Sequence, residues 1–335
     1  MRKPKAVALY SGGLDSTLAI LVMLEHGVDV EAVKFLNHFG CDINDSSSCG
    51  SNPEPAAKQF GFRLKLCHLG WKFIDIVKNP KYGYGKNMNP CIDCRILMLR
   101  EAADFMKMID ADFLITGEVV GQRPMSQMKN TLKMIDNVCD LGDRIVRPLS
   151  GKLLEPTAPE KEGLIKRDWL LDLNGRSRKG QMALAKKFGL ETYASPAGGC
   201  FLTDRNYSRR LKDLLKYNRE DLDYNDLHLL TVGRQFRLSP NAKLAVGRNE
   251  KDNDNIESLV KSGDLVFEVM DVGSPISLLR GKPEQSDIEL AAAITARYSD
   301  AKYKELVTVD IKQDTQSSKL EIKPVSNKIL DVIRL

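Results

Sequence analysis

Seven residues, Ser11-Gly12-Gly13-Leu14-Asp15-Ser16-Thr17, constrain this chain more than any others. They follow an apolar run, Ala6-Val7-Ala8-Leu9-Tyr10, and open an amphipathic run from Leu18 to His26. The order is strand, glycine turn, helix. Two glycines let backbone amides approach a ligand with no Cβ in the way. Amides at a helix N-terminus form an anion nest, and the helix dipole favours negative charge there. Ser11, Ser16 and Thr17 add hydroxyl donors. The common phosphate loop, G-x-x-x-x-G-K-[ST], carries a lysine that is absent from this stretch.

The rest of the chain gives that turn its setting. At 335 residues, two domains with separate cores are expected. A formal charge of +5 permits a nucleic-acid partner without demanding one. No apolar run is long enough to span a membrane, so the seven cysteines read as cytosolic thiols, where spacing points to metal or catalysis before disulfides. Residues 30–36 and 62–68 read as further strands, 54–60 as a short helix, and 37–55 as a polar loop holding Cys41 and Cys49, whose spacing fits no zinc pattern. Successive βα units argue for a parallel sheet covered by helices, with ligands at the carboxyl ends of the strands. Asn89-Pro90-Cys91-Ile92-Asp93-Cys94 begins a long helical pattern reaching Ile109. Cys91 and Cys94, three apart, share a face of its first turn, where the dipole is expected to lower thiol pKa values. A strand at 113–117 leads into Glu118-Val119-Val120-Gly121-Gln122, and a short one is expected at 145–149. Residues 156–190 read as helical around a basic turn at 175–180. Gly198-Gly199-Cys200 is a close-approach turn, and 206–226 a charged linker helix. Beyond Leu227 come short strands and helices in which Arg234, Arg237 and Arg248 are interleaved with Asn and Phe, a mixture suited to phosphate contact and stacking as well as to an ordinary charged surface.

Four motifs in order carry a resemblance over about residues 5–205: S-G-G-L-D-S-T at 11–17, N-P-C-I-D-C at 89–94, T-G-E-V-V-G-Q at 116–122 with S-Q at 126–127, and G-G-C-F at 198–201. The segment resembles the tRNA thiolation branch of the PP-loop superfamily, the 2-thiouridylases and the catalytic domain of 4-thiouridine synthases. Residues 228–253, with G-R-x-F-R-L followed by V-G-R-N-x-x-x-N, resemble the R domain of the NFACT family. The resemblance implies an α/β fold: a parallel-sheet PP-loop (adenine nucleotide alpha hydrolase-like) domain at 1–205 and a second, smaller α+β domain at 227–335. It implies ATP and Mg²⁺ as cofactors, with nucleotide contacts from Ser11, Gly12, Gly13, Asp15, Ser16, Thr17, Phe35, Gly117 and Gln122. Asp15, Cys94 and Cys200 would be catalytic. In some members three thiolates, here Cys91, Cys94 and Cys200, hold a 4Fe–4S cluster. Arg234, Arg237 and Arg248 would face RNA.

The activity so implied is ATP-dependent sulfur transfer to a uridine of tRNA or another RNA in the cytoplasm. A sulfide or persulfide donor would serve as partner, and a homodimer is compatible with it. With a cluster, the three sulfurs should converge to roughly 4–7 Å. Without one, a persulfide on Cys200 resolved by Cys94 would serve. A PP-loop synthetase or sulfur-inserting enzyme acting on a small molecule, and a non-catalytic RNA-binding protein, are the alternatives.

Overall fold

The computed structural model describes residues 2–40, 54–124, 126–141, 143–191, 193 and 200–335. Cys41, Cys49, Gly198 and Gly199 lie outside them. The chain divides into two compact units, Met1–Asp204 and Arg205–Leu335.

The first unit is built on β1 (Lys5–Leu9), which after Lys5 is short, apolar and buried. Ala6, Ala8 and Tyr10 face one buried cluster, and Val7 and Leu9 the other. Such a strand must be central and covered on both faces. It is followed by α1 (Leu14–Glu25), β2 (Asp29–Leu36), α2 (Glu54–Phe60), β3 (Arg63–His68), α3 (Gly70–Lys78), α4 (Cys91–Met108), β4 (Phe113–Thr116), α5 (Lys129–Val138), β5 (Ile145–Val146), α6 (Ala158–Lys161) and α7 (Lys179–Lys187). The sheet order is β3-β2-β1-β4-β5, and every pairing is parallel. Leu18, Ile20 and Met23 of α1 pack on one face with Ile165, Leu170 and Ala185. Ile96, Leu99, Ala102 and Met106 of α4 cover the other, with Ile135 of α5. Strand order reverses at β1: β2 and β3 lie to one side, β4 and β5 to the other. That switch point opens a crevice at the carboxyl ends of β1 and β4. The glycine turn after β1 and the Thr116-Gly117-Glu118 turn after β4 both stand there.

The helical reading of 156–190 does not hold. Only α6 and α7 are α-helical there. Backbone bonds from Leu171 to Pro148, Leu173 to Leu149 and Gly175 to Val120 lay the intervening chain along the strand ends instead. Leu170, Leu171 and Leu173 pack against the sheet's core cluster from non-helical chain, which produced the false period.

The second unit begins with α8 (Arg205–Tyr217) and α9 (Tyr224–Leu229). The stretch read as one linker helix is these two helices, and both belong to this unit. Tyr207, Leu211, Leu214 and Leu215 bury one face of α8. There follow β6 (Arg234–Ser239), β7 (Ala242–Val246), α10 (Glu250–Ser258), β8 (Leu265–Glu268), β9 (Ser277–Gly281), α11 (Gln285–Tyr298), β10 (Val307–Gln313), β11 (Gln316–Ile322) and α12 (Asn327–Ile333). The sheet is antiparallel throughout, in the order β11-β10-β8-β9-β7-β6. Alanine-rich α11 lies buried on one face. Leu229 and Ile256 help cover the other. No helix among the described residues is long and apolar enough to cross a membrane.

A row of three cations crosses this second face: Arg237 on β6, Lys243 on β7 and Arg280 on β9, adjacent in register. Arg237 is paired with Asp213 at 2.6 Å, and Arg280 with Asp264 at 2.6 Å and Asp226 at 2.9 Å. Lys243 is buried between them, and burial pushes its amine down to about 7, against the pull of Asp213. An unfolded lysine holds its proton to about 10.4. The unfolded chain therefore binds more protons between these values. This residue's contribution to stability rises with pH through that window and is lowest below pH 7. Lys243→Met is expected to raise the melting temperature by several degrees at pH 6.5, with the gain shrinking toward pH 10. Thermal denaturation of the full chain at both pH values measures it, and an equal shift at both would show that the lysine is not neutralised by folding.

Candidate functional site

The turn after β1 is closed by its own hydroxyls. Gly12 has φ 78°, a conformation that glycine adopts at little cost. Gly13 caps α1, and its carbonyl accepts the hydroxyls of Ser16 and Thr17, each at 3.0 Å. Ser11 Oγ lies 3.0 Å from Ser16 Oγ. Ser16 and Thr17 are thus buried and shape the turn, while Ser11 is exposed. Asp15 stands in the first turn of α1. Gln122 Nε2 donates to its Oδ2 at 3.0 Å. Its Oδ1 is buried with no hydrogen-bond partner among the described residues. An ionised carboxylate oxygen left so is costly in a dry site. The arrangement suits a cation or a ligand donor arriving at that oxygen. Gln127 Oε1, on the loop after β4, is orphaned in the same way.

Gly117 explains how the two turns meet. A Cβ built on it would stand 2.5 Å from Ser16 Cα and N and 2.7 Å from the Asp15 carbonyl carbon. Only glycine lets the end of β4 touch the first turn of α1. Its place is therefore set by packing against the first turn of α1. Phe35, near the end of β2, packs with Cys67 and Ile92 on the α4 side of the sheet.

Glu118, part of the 116–122 motif but given no role of its own by the sequence, organises the crevice. It is buried, and Arg95 Nε donates to its Oε1 at 2.8 Å. Its Oε2 accepts from Arg147 Nε at 2.9 Å and Thr116 Oγ1 at 3.0 Å. Arg147 continues to Asp136 through two bonds of 2.8 and 2.7 Å. Burial alone would raise the Glu118 carboxyl, but Arg95 and Arg147 hold it below the usual carboxylate range. One carboxylate thus joins β4, the end of β5, α5 and the cysteine helix, since Arg95 is next to Cys94. A T-G-E triplet followed far downstream by a lone buried Arg gives no local signal of this.

The cysteine helix is fixed from below as well. Buried Asp93 accepts the backbone N–H groups of Lys81 at 3.0 Å and Tyr82 at 3.1 Å. The Cys200 segment docks alongside. Met88 N donates to Leu202 O at 3.0 Å, Asn87 Nδ2 to Thr203 O at 2.7 Å, and Phe201 N to Phe39 O at 3.0 Å. Cys91, Cys94 and Cys200 are each half-buried. The structure brings the two cysteine-bearing stretches together by backbone, but the expected three-sulfur ligand set is not formed. Among the described residues no three Cys, His, Asp or Glu side chains are placed to hold a metal. The Cys200 carbonyl is tied into a turn by the Thr203 amide and hydroxyl, and fully buried Leu202 anchors that turn. The expected lowering of the thiol pKa is also absent at Cys91. Burial pushes it up, outweighing Arg123.

In the second unit the two motifs are largely architectural. Arg237 lies over the Tyr217 ring and is held by Asp213, which leaves it little reach toward solvent. Asn249 caps α10 by accepting Asp252 N at 2.9 Å, and Asn253 accepts Ile276 N at 3.0 Å in space that Gly247 leaves open. Arg248 is paired with Asp252 at 2.6 Å but half exposed. Arg234 donates to Gly247 O and lies 4.5 Å over the Tyr298 ring.

Residues 2–155 match the family described as Thiamine biosynthesis protein (ThiI), and residues 233–331 match the NFACT protein RNA binding domain. The two matched segments do not overlap, and each covers less than half of the chain. The tRNA-specific 2-thiouridylase MnmA of Pseudomonas putida (strain GB-1) is 25% identical over 247 residues, covering 70% of this chain and 62% of the relative. That of Stutzerimonas stutzeri (strain A1501) is 26% identical over 246 residues, covering 70% and 61%. The chain thus spans about three fifths of the length of the curated relatives it matches. A crystal structure of a 4-thiouridine synthetase–RNA complex with bound ATP is 28% identical, covering 44% of this chain and 37% of that one, with a TM-score of 0.36.

Removing one member of a buried ion network strands the others. Glu118→Ala is expected to cost about 3–5 kcal/mol in urea unfolding, because Arg147 stays buried without its carboxylate. A loss below about 1 kcal/mol would mean that Asp136 alone satisfies Arg147.

Proposed function

We propose that this chain is an ATP-dependent sulfurtransferase acting on a uridine of tRNA. The observation that carries the reading is Asp15, with one oxygen held by Gln122 and the other orphaned, in a hydroxyl-lined glycine turn at the switch point of a parallel sheet. The matched families and the relatives named tRNA-specific 2-thiouridylase support the substrate class.

In this reading the β and γ phosphates of ATP occupy the amides of Gly12 and Gly13 and the Ser11 hydroxyl, with Ser16 and Thr17 keeping the turn in shape. Gly117, Phe35 and Gln122 border the nucleotide. The orphaned Asp15 oxygen fits Mg²⁺, which Asp15 would hold and which supplies charge neutralisation on the phosphates. The uridine carbonyl oxygen attacks the α-phosphorus, and pyrophosphate leaves. The turn contributes position and electrostatics to that step. The base must leave its stack to reach the crevice.

In this reading sulfur is routed through thiols, with a cluster on Cys91, Cys94 and Cys200 as the alternative route. Cys200 accepts a sulfane sulfur from a persulfide donor. The terminal sulfur of that persulfide attacks the adenylated carbon, and AMP departs with the former carbonyl oxygen. The Cys94 thiolate then attacks Cys200 Sγ, the S–S bond breaks, and its electrons form the C=S bond. A Cys94–Cys200 disulfide remains, and an external dithiol reduces it. This cycle needs the reducing cytoplasm. Arg234 and Arg248 would meet RNA through their accessible faces, whereas Arg237 serves the fold.

Two variants divide the reaction. Asp15→Ala is expected to abolish tRNA-dependent pyrophosphate release, measured with labelled ATP. Cys200→Ala should still release pyrophosphate but leave no thiouridine by nucleoside mass spectrometry. Normal pyrophosphate release from Asp15→Ala would remove the turn from the mechanism. Iron and sulfide in equal amounts in anaerobically prepared protein, lost in Cys91→Ala, would replace the persulfide route by a cluster.

A further inference from the structure

We infer that the outward face of α8 is a docking surface for the phosphate backbone of the RNA substrate. The inference rests on the reading above for the class of partner, and it concerns a helix outside both matched family segments.

Helix α8 sorts its polar residues by direction. Inward, Arg210 donates to Leu230 O at 2.8 Å and Gly233 O at 3.3 Å. Asp213, its one acid, is turned to Arg237 on the sheet at 2.6 Å. Outward stand Arg205, Arg209, Lys212 and Lys216, all exposed. Their spacing of four, three and four places them in one stripe along the helix. At 1.5 Å per residue the stripe runs about 16 Å. Phosphates of one duplex strand recur roughly every 3.4 Å along the axis, so the stripe can engage several.

The stripe works against its own helix. Neighbouring cations at i, i+3 and i, i+4 repel. Arg205 in the first turn also faces the positive end of the dipole, where the one nearby acid is Asp204, just before the helix. Local packing gives no return for this arrangement, since the buried face is complete with Tyr207, Leu211, Leu214 and Leu215. A polyanion laid along the face would relieve every repulsion at once. Arg205 also stands only five residues after Cys200 in the chain.

The test is binding of the full chain to an unmodified tRNA transcript as salt is varied. Each phosphate neutralised contributes about 0.7–0.9 to the slope of log affinity against log salt. With Arg205→Gln, Arg209→Gln, Lys212→Gln and Lys216→Gln combined, the slope is expected to become shallower by two to four and affinity at 100 mM salt to fall at least about tenfold. Arg205→Lys with Arg209→Lys should keep the slope. If the fourfold variant fails to fold, the pairs Arg205/Arg209 and Lys212/Lys216 are changed separately, each expected to take about half the effect. A folded variant with unchanged slope and affinity overturns the assignment of this face and leaves the proposed activity standing. Failure of the unaltered chain to bind the transcript at any salt overturns both.

Discussion

A single buried carboxylate holds the crevice edge of the first unit in register. Glu118 is almost wholly buried, and its charge is answered there by Arg95, Arg147 and Thr116. Each partner comes from a different part of the fold. Arg95 belongs to the cysteine helix, Thr116 ends β4, and Arg147 follows β5. A buried charge with one partner removed is expensive, so the group forms together or not at all. The two turns of the crevice inherit their spacing from it. Gly117, between Thr116 and Glu118, can touch the Asp15–Ser16 backbone only while both neighbours are held in place.

The second unit solves a related problem with less economy. Its sheet carries Arg237, Lys243 and Arg280 side by side beneath helices, and carboxylates answer only the outer two directly. The middle lysine is tolerated by giving up its proton near neutrality. Charge that in other proteins would mark a ligand site here fastens α8 and α9 to strands.

Much of this was legible from the sequence where local chemistry and local structure coincide. The glycine turn, the strand before it and the helix after it are encoded within some twenty residues, and the parallel fold follows from repeated βα units. The cysteine helix starts at Pro90-Cys91 because proline suits the first turn. What was not legible depends on partners far away in sequence. Glu118 looks like a loop acid until Arg95 and Arg147 are brought to it. Arg237 looks like an RNA contact until Asp213 meets it across the unit. The three cysteines show the same limit from the other side. Spacing alone predicts that Cys91 and Cys94 share a helix face, but no short pattern states how Cys200 is oriented after its glycines. The false helix at 156–190 arose because leucines packed against strand ends can imitate a helical period.

On the ribosome, the backbone bond from Met88 to Leu202 cannot form until more than a hundred further residues have emerged. At typical rates of elongation that interval is on the order of ten seconds. Through it the stretch bearing Cys91 and Cys94 has left the ribosome, while the Cys200 segment that docks beside it does not yet exist. The two cysteine-bearing stretches therefore meet only late in synthesis, after nearly all of the first unit has been made.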